Sequence, residues 1–573
     1  MRPVRVAGVI ALTAMAALAI PATAAAPRVR FQGAYQLGAA VESINPTPAM
    51  IKAGDFYLGG YGLGSGKALN QVKIIDGRPA LGILRDPMFR NGLADGVHVR
   101  SVVIGAGGNA IALAQIETQG MFEAIKQGPF GLIDIRKDAA AAIAKIRRGG
   151  PAMPAGAIMV DSNHTHAGPD TAGVWGGVST TYLKLIHDQT VKAIVESYQR
   201  MQRVDLYYGV VHAGVAGEPH RYPSKDPLLT NQFSKDPNNQ EVDDELRVLQ
   251  ARAGNGKVVA TYLNYSSHPT VLGGSNQLVS ADYTAPLDAM LSTFGGVGME
   301  QVATLGRTQP ARDDCPDKKL KGAAADVCKL NSYAGRVFAR VKDAVRIAKP
   351  LTGPATVGMH SYFVQDLATN APIIALTYGG LVAGAPIYRA ANAPWMTGTV
   401  LGTSSFSGRI GDILLSGGPG EMYPQIVQKV RETVPARGHI NLGTAGDFLG
   451  YIVAPFEAYP EPVRRGFFDG EAPPVGNPDC TGGASPVAIP SPIGCPSPID
   501  NDNYFFNASH TMGERLTCSL LRGAGEVMKN DAQAYWSTYA RCPLFANDFA
   551  APTDLDTTFP GQPDLSALPG FDH

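Results

Sequence analysis

Short apolar runs in this chain lead into residues that can bind a metal ion or transfer a proton. The run Ala155–Val160 precedes His164 and His166, and the run Val258–Leu263 precedes His268. On a strand, side chains two residues apart lie on one face, so the pattern predicts two imidazoles side by side at a strand end. Neutral imidazole is a common metal ligand and titrates near pH 7. The spacing favours a metal or catalytic site, with histidines of an ordinary turn or core as the alternative.

Two later segments add oxygen ligands. Ile410–Leu415 leads into a glycine-rich turn with Glu421 at its tip, and Phe448–Val453 places Tyr451 in an apolar run. Taken alone, the glutamate is typical of a solvated turn and the tyrosine of a packed core. Taken with two of the histidines, they form the nitrogen and oxygen ligand set that zinc accepts, with room left for water.

Strand-like runs alternate with segments of helical periodicity, which lie at Asp134–Arg147, Tyr182–Gln199 and Tyr333–Ala348. Such alternation is typical of α/β proteins. We therefore predict an α/β fold with a mixed β-sheet core flanked by helices and a zinc site at the strand ends.

Composition limits the class of partner. The net charge of the 573-residue chain is 0 and only 17% of its residues are charged, so no basic field exists to attract nucleic acid. The 66 glycines and 43 prolines predict long loops. We expect one such loop at 219–240 and an insertion at 471–501, before a helix that begins at His510.

The amino terminus has the pattern of a cleavable signal peptide. Arg2 and Arg5 precede the apolar segment Val6–Ile20, and Pro21–Ala24 supplies small residues for cleavage near Ala24. The alternative is a membrane anchor, but the apolar run is short and no later stretch reaches the ~20 apolar residues of a transmembrane helix. We predict a signal peptide over 1–26 and a secreted or periplasmic location.

The six cysteines fall into three local pairs, which favours disulfide bonds over zinc ligation in an exported protein. The predicted pairs are Cys315 with Cys328, Cys480 with Cys495, and Cys518 with Cys542.

Seven segments, in the same order along the chain, resemble the neutral/alkaline ceramidases over roughly residues 35 to 530. Asn163–Pro169 is similar to the THTHSGP signature of that family. The other six segments are Asp95–Arg100, Val242–Leu249, Tyr262–Thr270, Ser280–Tyr283, Pro419–Glu421, and Tyr451–Tyr459, which retains Glu457. Several ordered matches are far more specific than any one motif.

The resemblance implies a role for individual residues. It implies that one zinc ion is bound by His164, His268, Glu421 and Tyr451, and that His166 lies beside the metal and acts in catalysis. Arg221, which precedes the acidic segment, is the candidate for contact with the substrate.

One segment departs from the family. The family carries a serine-rich segment after its central helix, and a serine there has been proposed as a nucleophile. The corresponding residues Ala303–Pro310 contain no serine, and only Thr304 and Thr308 offer a hydroxyl. The departure favours water as the nucleophile. Family members also continue into an immunoglobulin-like domain, whereas we predict a catalytic domain over 27–530 and a tail over 531–573 without that domain.

The resemblance therefore implies a secreted, zinc-dependent amidohydrolase that cleaves the N-acyl bond of ceramide or a related N-acyl lipid. A lipid-like substrate allows transient contact with a membrane surface, and no nucleic acid partner is expected. Two alternatives remain open: a zinc hydrolase of another amide or ester, and a secreted lipid-binding relative that has lost turnover.

Overall fold

A computed structural model describes residues 31–47, 49–50, 57–60, 71–75, 78–82, 93–216, 226–231, 242–452, 509, 512–528 and 542, with short gaps inside 242–452. Several predicted features lie outside these residues. They are the signal peptide over 1–26, Arg221, the Cys480–Cys495 pair, the insertion at 471–501, Glu457 with Tyr459, and the tail except Cys542.

The described part of the chain is a mixed α/β structure. Its helices are α1 (Leu132–Ile146), α2 (Thr180–Gln199), α3 (Thr284–Ser292), α4 (Ala323–Ile347), α5 (Ala371–Tyr378), α6 (Pro424–Thr433) and α7 (Met512–Val527). The strands of the larger sheet are β1 (Tyr35–Ser43), β5 (His98–Ala106), β6 (Asn109–Ile116), β7 (Ile158–Ser162), β8 (Gln202–His212), β10 (Glu245–Arg252), β11 (Val258–Tyr265), β13 (Val297–Val302) and β15 (Lys349–Pro350).

The second sheet is smaller. Its strands are β16 (Val357–Leu367), β17 (Ile387–Arg389), β18 (Thr399–Ile410), β19 (Ile413–Gly417) and β21 (Gly438–Leu442). The remaining strands form two-stranded pairs: β2 (Gln71–Ile75) with β3 (Arg78–Gly82), β4 (Leu93–Gly96) with β12 (Val279–Ser280), β9 (Leu229–Asn231) with β14 (Thr308–Pro310), and β20 (Glu421–Met422) with β22 (Tyr451–Ile452).

The predicted α/β fold with a mixed sheet is confirmed. The helical periodicity located α1 and α2 to within two residues at either end. It placed the start of α4 at Tyr333, whereas the helix begins ten residues earlier at Ala323. Apolar periodicity marks only the part of α4 that packs on the sheet, because the first turns of this helix are largely exposed.

The larger sheet curls so that strands from its two edges come into contact. The strand order is β13-β11-β10-β8-β1-β5-β6-β7, so β7 and β13 are at opposite edges. Nevertheless, the Gln301 side-chain amide on β13 donates to Asp161 Oδ1 on β7 at 2.6 Å. Because of this curl, the segments that follow β7 and β11 meet at one end of the sheet.

The two sheets pack face to face, and helices cover their outer faces. Successive residues of β19 show the layering, since Ile413 and Leu415 enter the core between the sheets while Leu414 enters the core beneath α6 and α7. Helix α2 covers the larger sheet at β1 and β5, and α1 packs against α2 and β7. Helices α3 and α4 cover its other half through a separate buried cluster.

One predicted strand is a hairpin instead. The apolar segment Ile410–Leu415 contains the end of β18, a two-residue turn and the start of β19. Gly411 in the turn has φ +60°, a left-handed conformation that glycine adopts without steric cost. Similarly, only Tyr451 and Ile452 of the predicted run Phe448–Val453 form a described strand.

Two of the three predicted disulfides are confirmed, Cys315–Cys328 and Cys518–Cys542. Structural disulfides persist in oxidising compartments, so both bonds fit an extracellular or periplasmic protein. Among the described helices, none combines the length and apolarity that a membrane span requires.

Candidate metal centre

The two histidines of the first motif lie in a turn that follows β7. His164 has φ +62°, a left-handed conformation that is uncommon for a residue with a Cβ atom. The turn is fixed by Asn163, whose side chain donates to Thr284 Oγ1 at 3.1 Å and accepts from the Thr165 backbone at 3.1 Å. The predicted juxtaposition of the imidazoles occurs, with the His164 and His166 ring centroids 4.7 Å apart. Its predicted cause, strand alternation, is wrong.

The third histidine follows β11 in a loop that a buried carboxylate holds. Asp282 accepts from the backbone N–H groups of Val271 and Leu272, each at 2.9 Å. This contact gives a structural reason for the Ser280–Tyr283 segment noted in the sequence. The His166 backbone N–H also donates to the Pro269 carbonyl at 3.2 Å, which joins the two histidine segments directly.

Glu421 is brought beside Tyr451 by a tight turn. Gly420 has φ +92°, and a Cβ atom there would lie 2.4 Å from the Gly450 carbonyl oxygen. Glycine is therefore required at this position. The close approach lets β20 pair in parallel with β22, with Glu421 opposite Tyr451.

The side chains of these three segments converge. His268 Nε2 lies 2.8 Å from Glu421 Oε2, and His164 Nε2 lies 3.5 Å from Glu421 Oε1. His166 Nε2 lies 3.1 Å from His164 Nε2. A ligand nitrogen from each histidine lies within 4.8 Å of the others. The Tyr451 side chain hydrogen-bonds to Glu421.

Burial differs across the cluster. His164, His268 and Glu421 are buried, whereas His166 and Tyr451 are partly exposed. The cluster is therefore open to solvent on the side of His166 and Tyr451. Among the described residues of the cluster, these two side chains are the ones that solvent reaches.

Protonation in the cluster follows from burial and from hydrogen bonds. Burial lowers the pKa of His164 to about 4, so its imidazole is neutral near pH 7. Burial of the Glu421 carboxyl opposes its ionisation. Interactions with His164, His268 and Tyr451 outweigh that effect and hold its pKa below the ordinary value. The centre thus combines a neutral imidazole at His164 with a carboxylate.

Backbone carbonyls fix the orientation of two imidazoles. His164 Nδ1 lies 2.7 Å from the Gln119 carbonyl oxygen, and His268 Nδ1 lies 2.5 Å from the Thr308 carbonyl oxygen. A carbonyl only accepts, so each Nδ1 donates and carries a proton. In the neutral ring of His164, Nε2 therefore presents a lone pair. Carbonyl contacts of this kind are the usual means of orienting a metal-bound histidine.

This arrangement fits a bound cation. The Nε2 atoms of His164 and His268 lie 3.5 Å and 2.8 Å from the two oxygens of one carboxylate. The lone pair of the neutral His164 ring faces an acceptor, a contact that is unfavourable without a positive charge nearby. Imidazole nitrogen with carboxylate oxygen is a donor set that zinc accepts. His166 is near enough to be a further ligand or to act beside the metal.

The structure thus brings together the five described residues of the predicted site, His164, His166, His268, Glu421 and Tyr451. Reasoning from the sequence missed the carbonyls of Gln119 and Thr308, because a backbone group leaves no pattern in the sequence. It also missed that the Phe448 ring lies against His164, with centroids 5.4 Å apart. The sequence pattern indicates this residue only as part of an apolar run.

The segment Ala303–Pro310, which differs from the family pattern, lies next to the site. Thr308 is buried, and its contact with His268 is made by the backbone carbonyl. Thr304 is also buried, and its hydroxyl lies 3.2 Å from Ser266 Oγ. Ser266 in turn lies 3.5 Å from Asp243, whose pKa is held far below its usual range because Arg247 and Arg431 outweigh the effect of burial. These contacts therefore do not provide a general base for the Thr304 hydroxyl.

The fold is that of the neutral ceramidases. One similar solved structure is the neutral ceramidase from Pseudomonas aeruginosa, with a TM-score of 0.51 and 15% sequence identity over 84% of this chain and 75% of that chain. A second is a ceramidase complexed with C2, with a TM-score of 0.53 and 14% identity over 93% of this chain and 78% of that chain. No protein-family model matches the sequence. A search of curated proteins likewise gives no match.

Proposed function

We propose that this chain is a zinc-dependent hydrolase that cleaves the N-acyl amide bond of ceramide or of a related N-acyl lipid. The observation that carries the proposal is the convergence of His164, His268 and Glu421, with the Nε2 atoms of both histidines facing one carboxylate. The shared fold with neutral ceramidases supports the choice of substrate class.

In this proposal His164, His268, Glu421 and Tyr451 hold the zinc ion. When bound, zinc supplies a Lewis acid that polarises a carbonyl group and lowers the pKa of water. The buried carboxylate of Glu421 balances part of the added positive charge. The partly exposed Tyr451 is also placed at the open side, where its hydroxyl can donate to the oxygen of an amide carbonyl.

His166 is the proposed catalytic acid and base. It stands at the open side of the cluster, within 3.1 Å of the His164 ring nitrogen. Water attacks the amide carbon, and His166 accepts the proton that water loses. The C–N bond then breaks while His166 returns that proton to the leaving nitrogen. The products are a fatty acid and, from a ceramide, an amino-alcohol base.

Water is the proposed nucleophile because neither threonine is prepared for attack. Thr304 is hydrogen-bonded to Ser266 rather than to a general base. Thr308 contributes a backbone carbonyl that orients His268. Arg221, which lies outside the described residues, remains the proposed contact for a polar group of the substrate on the basis of the sequence resemblance.

The segment that differs from the family pattern also supports a second candidate, a zinc hydrolase of another amide or ester. Ala303–Pro310 contacts His268 directly and differs from the serine-rich segment of the family. Small changes in a pocket shift selectivity by about 1–3 kcal/mol per methylene group, so acyl preference can change while the metal ligands stay fixed.

Export completes the proposal. The predicted signal peptide over 1–26 would direct the chain out of the cytoplasm, and the two disulfides are consistent with an oxidising compartment. The substrate would then be met at an outer surface or in the surrounding medium.

We expect the purified protein to release fatty acid from N-acyl lipids and to cleave the corresponding esters and short peptides far more slowly. A panel of ceramides and N-acyl amines of graded acyl length, assayed by fatty-acid release, measures this directly. Matched esters with the same acyl chains serve as controls. Hydrolysis confined to esters or peptides would favour the second candidate, a zinc hydrolase of another amide or ester. Binding of the lipids without any turnover would favour a lipid-binding role.

A further inference from the structure

We propose that the disulfide-closed segment Cys315–Cys328, with the first turns of α4, docks on an anionic lipid surface and presents the metal centre to it. The inference rests on the proposed lipid substrate. We call residues 315–329 the basic loop. Its position, its exposed apolar side chains and its local charge each support this role.

The basic loop lies at the end of the sheet that carries the metal centre. It follows Thr308, whose carbonyl holds His268, by only seven residues. Helix α4 returns from the loop towards the site, where the Tyr333 hydroxyl lies 3.1 Å from Ser267 Oγ, the neighbour of His268. At 1.5 Å per residue, α4 begins about 15 Å along its axis from Tyr333. The loop therefore extends beyond the contacts that surround the site.

The loop exposes an apolar stripe. Residues 316–324 are all exposed, and Leu320 and Val327 are among the few large apolar side chains that the described residues expose, at 36% and 38%. Ala323 and Val327 are four residues apart on α4 and so lie on one face of the helix. Asn331, one turn further, is also exposed. The outward face is thus apolar only at the tip of the helix.

Lysines flank this stripe. The basic loop contains four lysines, Lys318, Lys319, Lys321 and Lys329, against two aspartates, Asp317 and Asp326. Lys329 lies 3.4 Å from Asp326, so the positive charge of the loop is concentrated at Lys318, Lys319 and Lys321. Exposed apolar side chains surrounded by lysines are the combination that binds the interface of an anionic membrane.

The disulfide makes the docking element rigid. Cys315 is 5% exposed, and its bond to Cys328 closes the exposed segment against the start of α4. A rigid loop loses less conformational entropy on binding than a flexible one. The lysines and the apolar stripe are consequently held together when the protein approaches a surface.

A matched basic patch lies at the other end of the sheet. Lys145, Ile146, Arg147 and Arg148 at the end of α1 are exposed, and Ile146 is 36% exposed. These residues precede the start of β7, whereas His164 follows its end. The α1 patch thus has similar charge and apolar exposure but is directed away from the metal centre, which makes it the control.

The test is co-sedimentation with vesicles of equimolar phosphatidylcholine and phosphatidylserine, compared with phosphatidylcholine alone. We expect wild type to bind the anionic vesicles, with binding that weakens as salt is raised. The triple variant K318E/K319E/K321E should bind about 10-fold more weakly or worse. The control triple K145E/R147E/R148E should bind as wild type does. Failure of wild type to bind, or loss of binding in the control triple instead, would overturn the proposal.

Turnover separates this proposal from the proposed function. The basic-loop triple should hydrolyse a soluble short-chain N-acyl substrate at the wild-type rate and a long-chain substrate in anionic vesicles more slowly. Leu320→Ser provides a variant without charge reversal that should weaken binding to vesicles. Vesicle binding is measured without any turnover. If wild type hydrolysed neither substrate, the proposed function would be contradicted, while the result of the binding experiment would still decide the docking proposal.

Discussion

His164→Ala and His268→Ala should each lose most of the bound zinc and nearly all hydrolysis. Each change removes an imidazole whose Nδ1 a carbonyl holds and whose Nε2 faces Glu421. Mutation of a group that merely orients a metal ligand costs about 10–100-fold in affinity, so loss of the ligand itself should cost more than about 100-fold. Elemental analysis of the purified variants, with titration of zinc into metal-free protein, measures the effect.

His360→Ala is the matched control for these substitutions. His360 is an exposed histidine on β16 of the second sheet, outside the cluster. This variant should keep one zinc per chain and wild-type turnover. Full zinc content in both His164→Ala and His268→Ala would show that the metal centre is assigned to the wrong residues.

The second large effect is expected at His166. His166→Ala should keep its zinc and lose about 10²-fold or more in kcat, because it removes the proposed general acid and base but none of the proposed ligands. Zinc content and steady-state kinetics, measured on the same preparation, separate the two roles. If His166→Ala lost zinc as completely as His164→Ala, His166 would be a ligand, as the mutual approach of the three histidine nitrogens also allows.

Thr304 and Thr308 provide the controls for water as the nucleophile. Thr304→Ala removes a buried hydrogen bond to Ser266 and should lower the free energy of unfolding by about 1 kcal/mol, yet it should keep substantial turnover. Thr308→Ala keeps the carbonyl that orients His268, so the centre should remain intact. A covalent acyl group trapped on either threonine would show that this threonine, and not water, is the nucleophile.

Several features of the site could be predicted from the sequence because they depend on short-range pattern. An apolar run followed by a polar turn locates the end of a strand, and this pattern correctly placed His268 after β11. The glycine before Glu421 marks a turn that only glycine can form. The order of the motifs along the chain then grouped residues that are more than 250 positions apart in the sequence, such as His164 and Glu421.

The remaining features depend on tertiary structure. The curl of the larger sheet, which brings β7 beside β13, is not encoded in any single segment; it is visible only in contacts such as Gln301 with Asp161. The left-handed conformation of His164 is imposed by surrounding hydrogen bonds, against the local preference of the residue. Strand alternation correctly predicted that His164 and His166 are neighbours, but the cause is different, since a turn places the two side chains together.

The buried polar groups around the site explain sequence motifs that carry no chemistry themselves. Asp282 holds the loop after His268 through two backbone N–H groups. Asp243 forms a buried ion pair with Arg247, with nitrogen and oxygen 2.7 Å apart. Removing one partner of such a pair leaves a buried charge without compensation, which is strongly destabilising. Resemblance to a family in these segments therefore reports on the fold that positions the site.

The central claim is that a single zinc ion in this cluster drives amide hydrolysis. The most direct measurement is the release of fatty acid from a short-chain fluorescent ceramide by wild-type protein before chelation, after removal of metal, and after addition of one equivalent of zinc. We expect chelation to abolish the release of fatty acid and zinc to restore it in step with the amount bound. Undiminished release from protein shown by elemental analysis to be free of metal would contradict the central claim.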